Sequence, residues 1–197
     1  MKTTAKDTRE KILDSGLKLF SKKGYLGATT KEIAKGAGVA ELTLFRHFSS
    51  KERLFEEVIN SYTFLPALKG LLPEIKGMEF EEALYVIAGR FIERLTERRE
   101  LIKIMHSEIH LYPAKVKKIY HDFLDEMVKT LAAYFRELQA AGRLRAFNPE
   151  MGARAFFGMF FSFFNAQEFL LRKEVKSVEP DMVVRAYVDI FINGTGK

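Results

Sequence analysis

The sequence predicts an all-α protein: a small basic head of three short helices, then a larger helical bundle, about nine helices in all. Three observations predict this. Apolar residues recur at spacings of three and four almost throughout, and strand-like alternation is nearly absent. Clusters rich in glycine or proline ("KKGY", "KGAG", "LPALKGLLPEIKG", "AAGR", "NPE", "EPD") cut the pattern into helix-length pieces. Residues 1–53 hold 12 Lys and Arg against 6 Asp and Glu, and the remaining 144 residues hold 20 of each sign, so the whole net charge of +6 lies at one end.

The elements follow in order. Ile12, Leu13, Gly16, Leu17, Leu19 and Phe20 mark a first helix over about 7–23, stopped by "KKGY". A second runs from about Thr30 to Gly36, with Thr29 or Thr30 available to cap its free N–H groups. The third lies in "AGVAELTLFRHF" (37–48), where Leu44 and Phe48, four apart, anchor one side. Ser49 or Ser50 caps a fourth that continues to about Phe64. The stretch with Pro66, Gly70, Pro73 and Gly77 reads as broken. Helices then follow near 79–97, 100–111, 114–141, 149–173 and 180–192.

Composition excludes several classes of function. The chain has no cysteine, which removes disulfides, thiol catalysis and thiolate zinc sites and fits a cytoplasmic, reducing compartment. The N-terminal stretch lacks the apolar core of a signal peptide. The longest apolar run, 155–171, is shorter than the roughly 20 residues of a membrane span and is interrupted by Asn165, Gln167 and Glu168, so no membrane association is expected. A P-loop, a dinucleotide glycine fingerprint and a nucleophile elbow are all missing. The carboxylate pairs in "FEEAL" and "FLDEM" read as solvated helix faces. No enzyme activity and no cofactor is expected. A basic module joined to a neutral body instead points to a polyanionic partner, touched by the first segment.

Two short helices joined by a glycine-containing turn are the sequence form of a helix-turn-helix, whose second helix must protrude into a DNA major groove. Ile33, Ala34 and Ala37 can pack inward and Val39 can plug the turn. Glu41, Leu42, Thr43, Phe45, Arg46 and His47 are left on or near the outward side.

Ile12-Leu13, Leu19-Phe20, Gly24, Thr29-Thr30, Ile33-Ala34, "AGV" at 37–39, Leu44-Phe45, His47-Phe48 and Lys51 stand at fixed spacing over roughly residues 8–59. In these residues the chain resembles the DNA-binding domain of the TetR/AcrR family of transcriptional regulators. It implies a helix-turn-helix DNA-binding domain at 1–53 and an effector-binding and dimerisation domain at 54–197. It further implies that Thr30 holds a phosphate at a helix start and that Lys31 contacts base or phosphate. Ala40, Glu41, Leu42 and Thr43 would read base edges, and Phe45, His47 and Lys51 would meet the backbone. Arg46 would reach phosphate or a guanine edge. Against these stand plainer readings: His47 and Phe45 as core, Lys51 as merely solvated. Two positions depart from the family pattern. Phe45 replaces the usual tyrosine and has no hydroxyl for a phosphate, and Leu42 stands where a small residue is common.

The family dimerises through its last two long helices, here about 149–173 and 180–192. In the first, Gly158, Ser162 and Ala166 recur every four residues as a small-residue stripe, flanked by phenylalanines able to serve interface and core together. The resemblance thus implies a homodimer on a palindromic, double-stranded operator, released by a small effector. The 18 Phe and 7 Tyr suit an apolar effector. Candidate lining residues are Phe91, Leu95, Met105, Ile109, Tyr120, Phe123, Met127, Phe164 and Glu168, each with ordinary core as its alternative. His106 and His110 are four apart, as a metal pair would be, but no third ligand is fixed by spacing and no metal is expected. Two alternatives remain open: an architectural DNA binder without operator preference, and a metal-responsive repressor.

Overall fold

The protein is described by a computed structural model over residues 5–170 and 178–195. Among these residues it is wholly helical, with ten α-helices: α1 (Ala5–Gly27), α2 (Thr30–Gly36), α3 (Glu41–His47), α4 (Lys51–Tyr62), α5 (Phe64–Glu74), α6 (Phe80–Glu97), α7 (Arg99–Glu108), α8 (Ala114–Ala140), α9 (Pro149–Asn165) and α10 (Pro180–Thr195). A 3-10 turn, Ile109–Leu111, follows α7, and a π-helical turn, Ala166–Leu170, extends α9. The predicted end of that helix at 173 lies outside the described residues.

The predicted helices are all present, and the one addition is α5. Its two prolines and one glycine read as breakers, yet Phe64, Leu65, Leu68 and Leu71 fall on one side and are all buried. Pro66 sits in the first turn, where no N–H is needed. Each large apolar side chain contributes about 1.5–3 kcal/mol on burial, so four together outweigh the roughly 3 kcal/mol cost of Pro73 inside the helix.

Packing divides the chain into two compact units. The first holds the residues to Thr63 together with Arg98–Phe123, and the second holds Phe64–Glu97 with the residues from Leu124 onward. This grouping differs from a cut at residue 53, because α4 and α7 both pack on α1.

In the first unit the core is Ile12, Phe20, Ile33, Leu44, Phe48, Leu54 and Phe55, each at most 1 % exposed. Ser15 is buried among them and its hydroxyl donates to the Ile33 carbonyl at 2.8 Å, tying α1 to α2. Ser15→Ala keeps the packing and removes the bond. It should lower stability by about 1 kcal/mol, read as a shift in the urea midpoint with an unchanged slope.

The second unit is built on phenylalanine. Phe64, Phe91 and Phe157 cluster with Phe91 and Phe157 4.9 Å apart, and Phe156 meets Phe160 at 5.1 Å and Phe191 at 5.3 Å. Asn148 caps α9, accepting from the N–H groups of Glu150 and Met151, with Pro149 at the first helical position. The Arg145 guanidinium donates to the Gly194 carbonyl, placing positive charge at the negative end of α10.

Candidate nucleic-acid interface

The head is set by local chemistry first. Thr29 caps α2 in a reciprocal capping box: its Oγ1 accepts from the Glu32 N–H at 3.2 Å, and its own N–H donates to Glu32 Oε2 at 3.3 Å. Lys23 donates to the same carboxylate at 2.7 Å. Hydrogen bonds from Lys23 and Thr29 hold the Glu32 carboxyl below its usual range. At the turn, Gly38 adopts φ +69°, a left-handed conformation that glycine takes without steric cost. The chain then reverses with the Val39 N–H donating to the Ala34 carbonyl at 3.0 Å.

This turn delivers α3, which is seated by Leu44 and Phe48, 0 % and 1 % exposed. Arg9 of α1 lies over the Phe48 ring at 5.2 Å and pairs with Glu57 at 2.7 Å. The opposite side of α3 is open. Leu42 is 66 % exposed and Phe45 42 %, so Phe45 is a surface residue and the core reading of it falls. Arg46 is exposed, while Thr43 is half-buried and His47, also half-buried, lies beside the Phe48 ring. Lys31 and Ala40 are exposed, and Ala40 is the N-cap of α3. Thr30 and Glu41 are half-buried and joined: Thr30 Oγ1 donates to Glu41 Oε1 at 2.6 Å.

Lys51 opens α4, whose first turn is capped by Ser50 accepting from the Arg53 N–H at 3.1 Å. It is half-buried, with its ammonium 4.4 Å above the Tyr25 ring, and burial pulls its pKa below the ordinary lysine value. Beneath it runs a network that sequence spacing does not signal. The Tyr25 hydroxyl donates to Glu52 Oε1 at 2.9 Å, and the Tyr112 hydroxyl donates to Glu108 at 3.2 Å while accepting from the Tyr25 N–H at 3.4 Å. Burial first, and the Glu52 carboxylate next, push the Tyr25 phenol far above its normal value; burial likewise pushes Tyr112 up to about 12. Gly24, at φ +68°, brings the end of α1 against Glu108, where a Cβ would run into the carboxylate. The start of α4 is thereby tied both to the end of α1 and to the turn after α7.

The candidate effector residues are distributed over both units. Met105, Ile109, Tyr120 and Phe123 belong to the first, with Met105 and Phe123 buried. Phe91, Leu95, Met127, Phe164 and Glu168 belong to the second, and all but Glu168 are buried. Burial raises the Tyr120 phenol. The first unit also carries an open groove of about 520 Å³, lined by Lys18, Ser21, Lys22, Glu100, Lys103, Ile104 and Ser107. Lysine, serine and glutamate side chains make up most of its lining, and it contains none of the candidates. His106 is exposed on α7, but the α-helix ends at Glu108 and His110 falls in the 3-10 turn, so the shared helix face is broken. Among the described residues no three metal-ligating side chains come together.

On α9, Phe156, Phe157, Phe160 and Phe164 are buried within the protomer, which assigns them to core rather than to an interface. Gly158 and Ser162 lie on the exposed side with Ala155, and Ala166 is half-buried. On α10, Met182 and Ile190 are 64 % and 61 % exposed, with Ala186 exposed between them. No helix of the described residues is long and apolar enough to cross a membrane.

Residues 12–58 match the family model of bacterial regulatory proteins of the tetR family, and residues 82–194 match that of the AefR-like transcriptional repressor C-terminal domain. The second match alone covers more than half of the chain. The chain belongs to the TetR family. It is 27 % identical over 188 residues to an uncharacterised HTH-type transcriptional regulator of Bacillus subtilis, YvkB, covering 95 % of this chain and 96 % of that one. A TetR-family transcriptional regulator structure from Mesorhizobium loti shares the fold at TM-score 0.76 and 24 % identity, over 100 % of both chains. The transcriptional regulator FadR of Bacillus subtilis, solved in complex with stearoyl-CoA, shares it at TM-score 0.74 and 16 % identity, over 94 % of this chain and 98 % of that one. The all-α reading and the helix-turn-helix head are thus those of a TetR-family transcriptional regulator.

Proposed function

We propose that this TetR-family protein is a cytoplasmic repressor that binds a palindromic operator as a homodimer and leaves it when a small apolar effector binds. The observation that carries the reading is α3 itself. It is a two-turn helix with Leu44 and Phe48 locked behind it and Leu42, Phe45 and Arg46 exposed in front. A helix that short gives little stability of its own and is suited to probing a groove. Residues 1–53, which carry the whole charge excess, are the DNA-reading part, and 54–197 the effector-binding and dimerisation part. The repressor sense draws on the AefR-like repressor model matched by residues 82–194. The fold neighbour solved in complex with stearoyl-CoA, a ligand with one long apolar acyl chain, supports an effector with an apolar part. An effector acts by preferring the conformation that does not bind DNA.

The exposed sides of α9 and α10 form the dimer face in this reading. Gly158 and Ser162 let a second copy approach closely, and Met182 and Ile190 supply apolar area.

Selection of sites from random duplex DNA, followed by titration at two salt concentrations, tests the proposal. An enriched inverted repeat bound orders of magnitude more tightly than random DNA is expected. Sequence-indifferent, salt-sensitive binding would make the protein an architectural binder instead. Lys51, held over Tyr25, is assigned to a phosphate. Lys51→Ala should weaken binding to operator and random DNA by similar factors and lower the salt slope by about 1. An unchanged slope would remove Lys51 from the interface.

A further inference from the structure

A carboxylate stands on a face otherwise suited to a polyanion. Glu41 opens α3, half-exposed, in a head that carries Lys31, Arg46 and Lys51 nearby in sequence. Among the described residues no ion pair claims it; what holds it is Thr30, whose hydroxyl donates to Oε1 at 2.6 Å. A hydroxyl has one proton, so while it is given to Glu41 it is not available to a phosphate. The pair therefore does two things. It withdraws Thr30 from the phosphate-donor role that the family resemblance implies, and it fixes the direction of a charged acceptor at the leading end of the recognition helix.

Resting on the operator-reading proposal, we infer that Glu41, positioned by Thr30, selects cytosine at one position of each half-site. In the major groove only two base groups donate: cytosine N4 and adenine N6. Adenine presents its N7 acceptor beside N6, and a carboxylate has no proton to offer it, so an amide suits adenine and a carboxylate suits cytosine. Guanine and thymine present acceptors or a methyl group at the same place and repel or fail to pair with the charge. Phosphate repels it outright. Thr30 is a positioning residue here: by occupying Oε1 it leaves the other carboxylate oxygen aimed along one direction rather than free to rotate among several.

The test is site selection with the full-length protein and its variants, each winner then titrated against all four bases at the selected position. Wild type should select cytosine there. Glu41→Gln should move the choice to adenine at that one position, with the rest of the repeat unchanged. Each protein should prefer its own base by about ten- to a hundredfold, as expected for one good base contact. Thr30→Val should keep cytosine but narrow that preference severalfold; an unchanged preference would remove Thr30 from the mechanism. If Glu41→Gln selects the same repeat as wild type, the inference is overturned while the operator-reading proposal stands. The inference fails equally if Glu41→Ala merely tightens binding to every sequence by the same factor, since the carboxylate would then act only by repelling phosphate. A wild type that enriches no repeat at all overturns the operator reading itself, and is told apart by its indifference to sequence before any variant is measured.

Discussion

Ser162→Asp combined with Ile190→Asp, two like charges on one face, is expected to leave the protein monomeric and to lower operator affinity by about a thousandfold or more. Both positions lie on the exposed sides of their helices, Ile190 at 61 %, so the single chain loses little internal packing. In the proposed dimer both positions become buried, and a charge placed in a desolvated seam without a partner costs several kcal/mol. The effect on DNA is larger than the effect on association. A dimer joins two half-site contacts into one event, so each head supplies roughly half of the binding free energy. If the dimer binds at nanomolar concentration, about −12 kcal/mol, one head alone retains about −6 kcal/mol, corresponding to tens of micromolar. Light scattering coupled to size-exclusion chromatography reads the mass, and a titration with the selected operator reads the affinity. A folded monomer that still binds as tightly as wild type would show that one head suffices, and a variant that stays dimeric would place the interface elsewhere.

The head is readable because its determinants are close in sequence. Thr29 and Glu32 are three apart and Leu44 and Phe48 four apart, so spacing narrows the cap of α2 to Thr29 or Thr30 and places the seated side of α3. Ser15 is legible only as a packing variation, since its partner, the Ile33 carbonyl, lies 18 residues away. The Tyr25–Glu52 and Tyr25–Tyr112 bonds close loops of 27 and 87 residues, and a periodic pattern carries no information about such partners. The same limit explains α9. Its sequence is apolar almost all round, so periodicity cannot divide core from interface. Only the positions of α6 and α10 decide that Phe156, Phe157, Phe160 and Phe164 turn inward and the small residues outward. For α5 the reason is different: prolines and glycine interrupt a local pattern, but burial of the apolar side is the larger energy and no local rule weighs it. Within the interface, spacing places Glu41 and Thr30 at two helix starts but gives no sign that they bind each other.

Phe156→Ala is expected to cost about 3–5 kcal/mol of stability, the largest single-residue effect on folding proposed for this chain. Phe156 is 0 % exposed and lies edge-on to both Phe160 and Phe191, so it joins successive turns of α9 to α10. Truncation removes the transfer energy of a whole ring and leaves a cavity walled by other rings, which are stiff and cannot collapse into it as aliphatic chains would. Against a net stability of about 5–15 kcal/mol for a folded domain, that is at least about a fifth of the total. Because the proposed dimer would have an apparent stability that depends on protein concentration, urea unfolding is compared at one fixed concentration. Phe156→Leu, which keeps most of the volume, should lose clearly less than the alanine variant. A loss below about 1 kcal/mol for Phe156→Ala would mean that the α9–α10 seam does not depend on this ring. Gly158 and Ser162 would then lack the rigid support that a close helix–helix approach requires, because the same turns of α9 that bury Phe156 and Phe160 on one side present those two residues on the other.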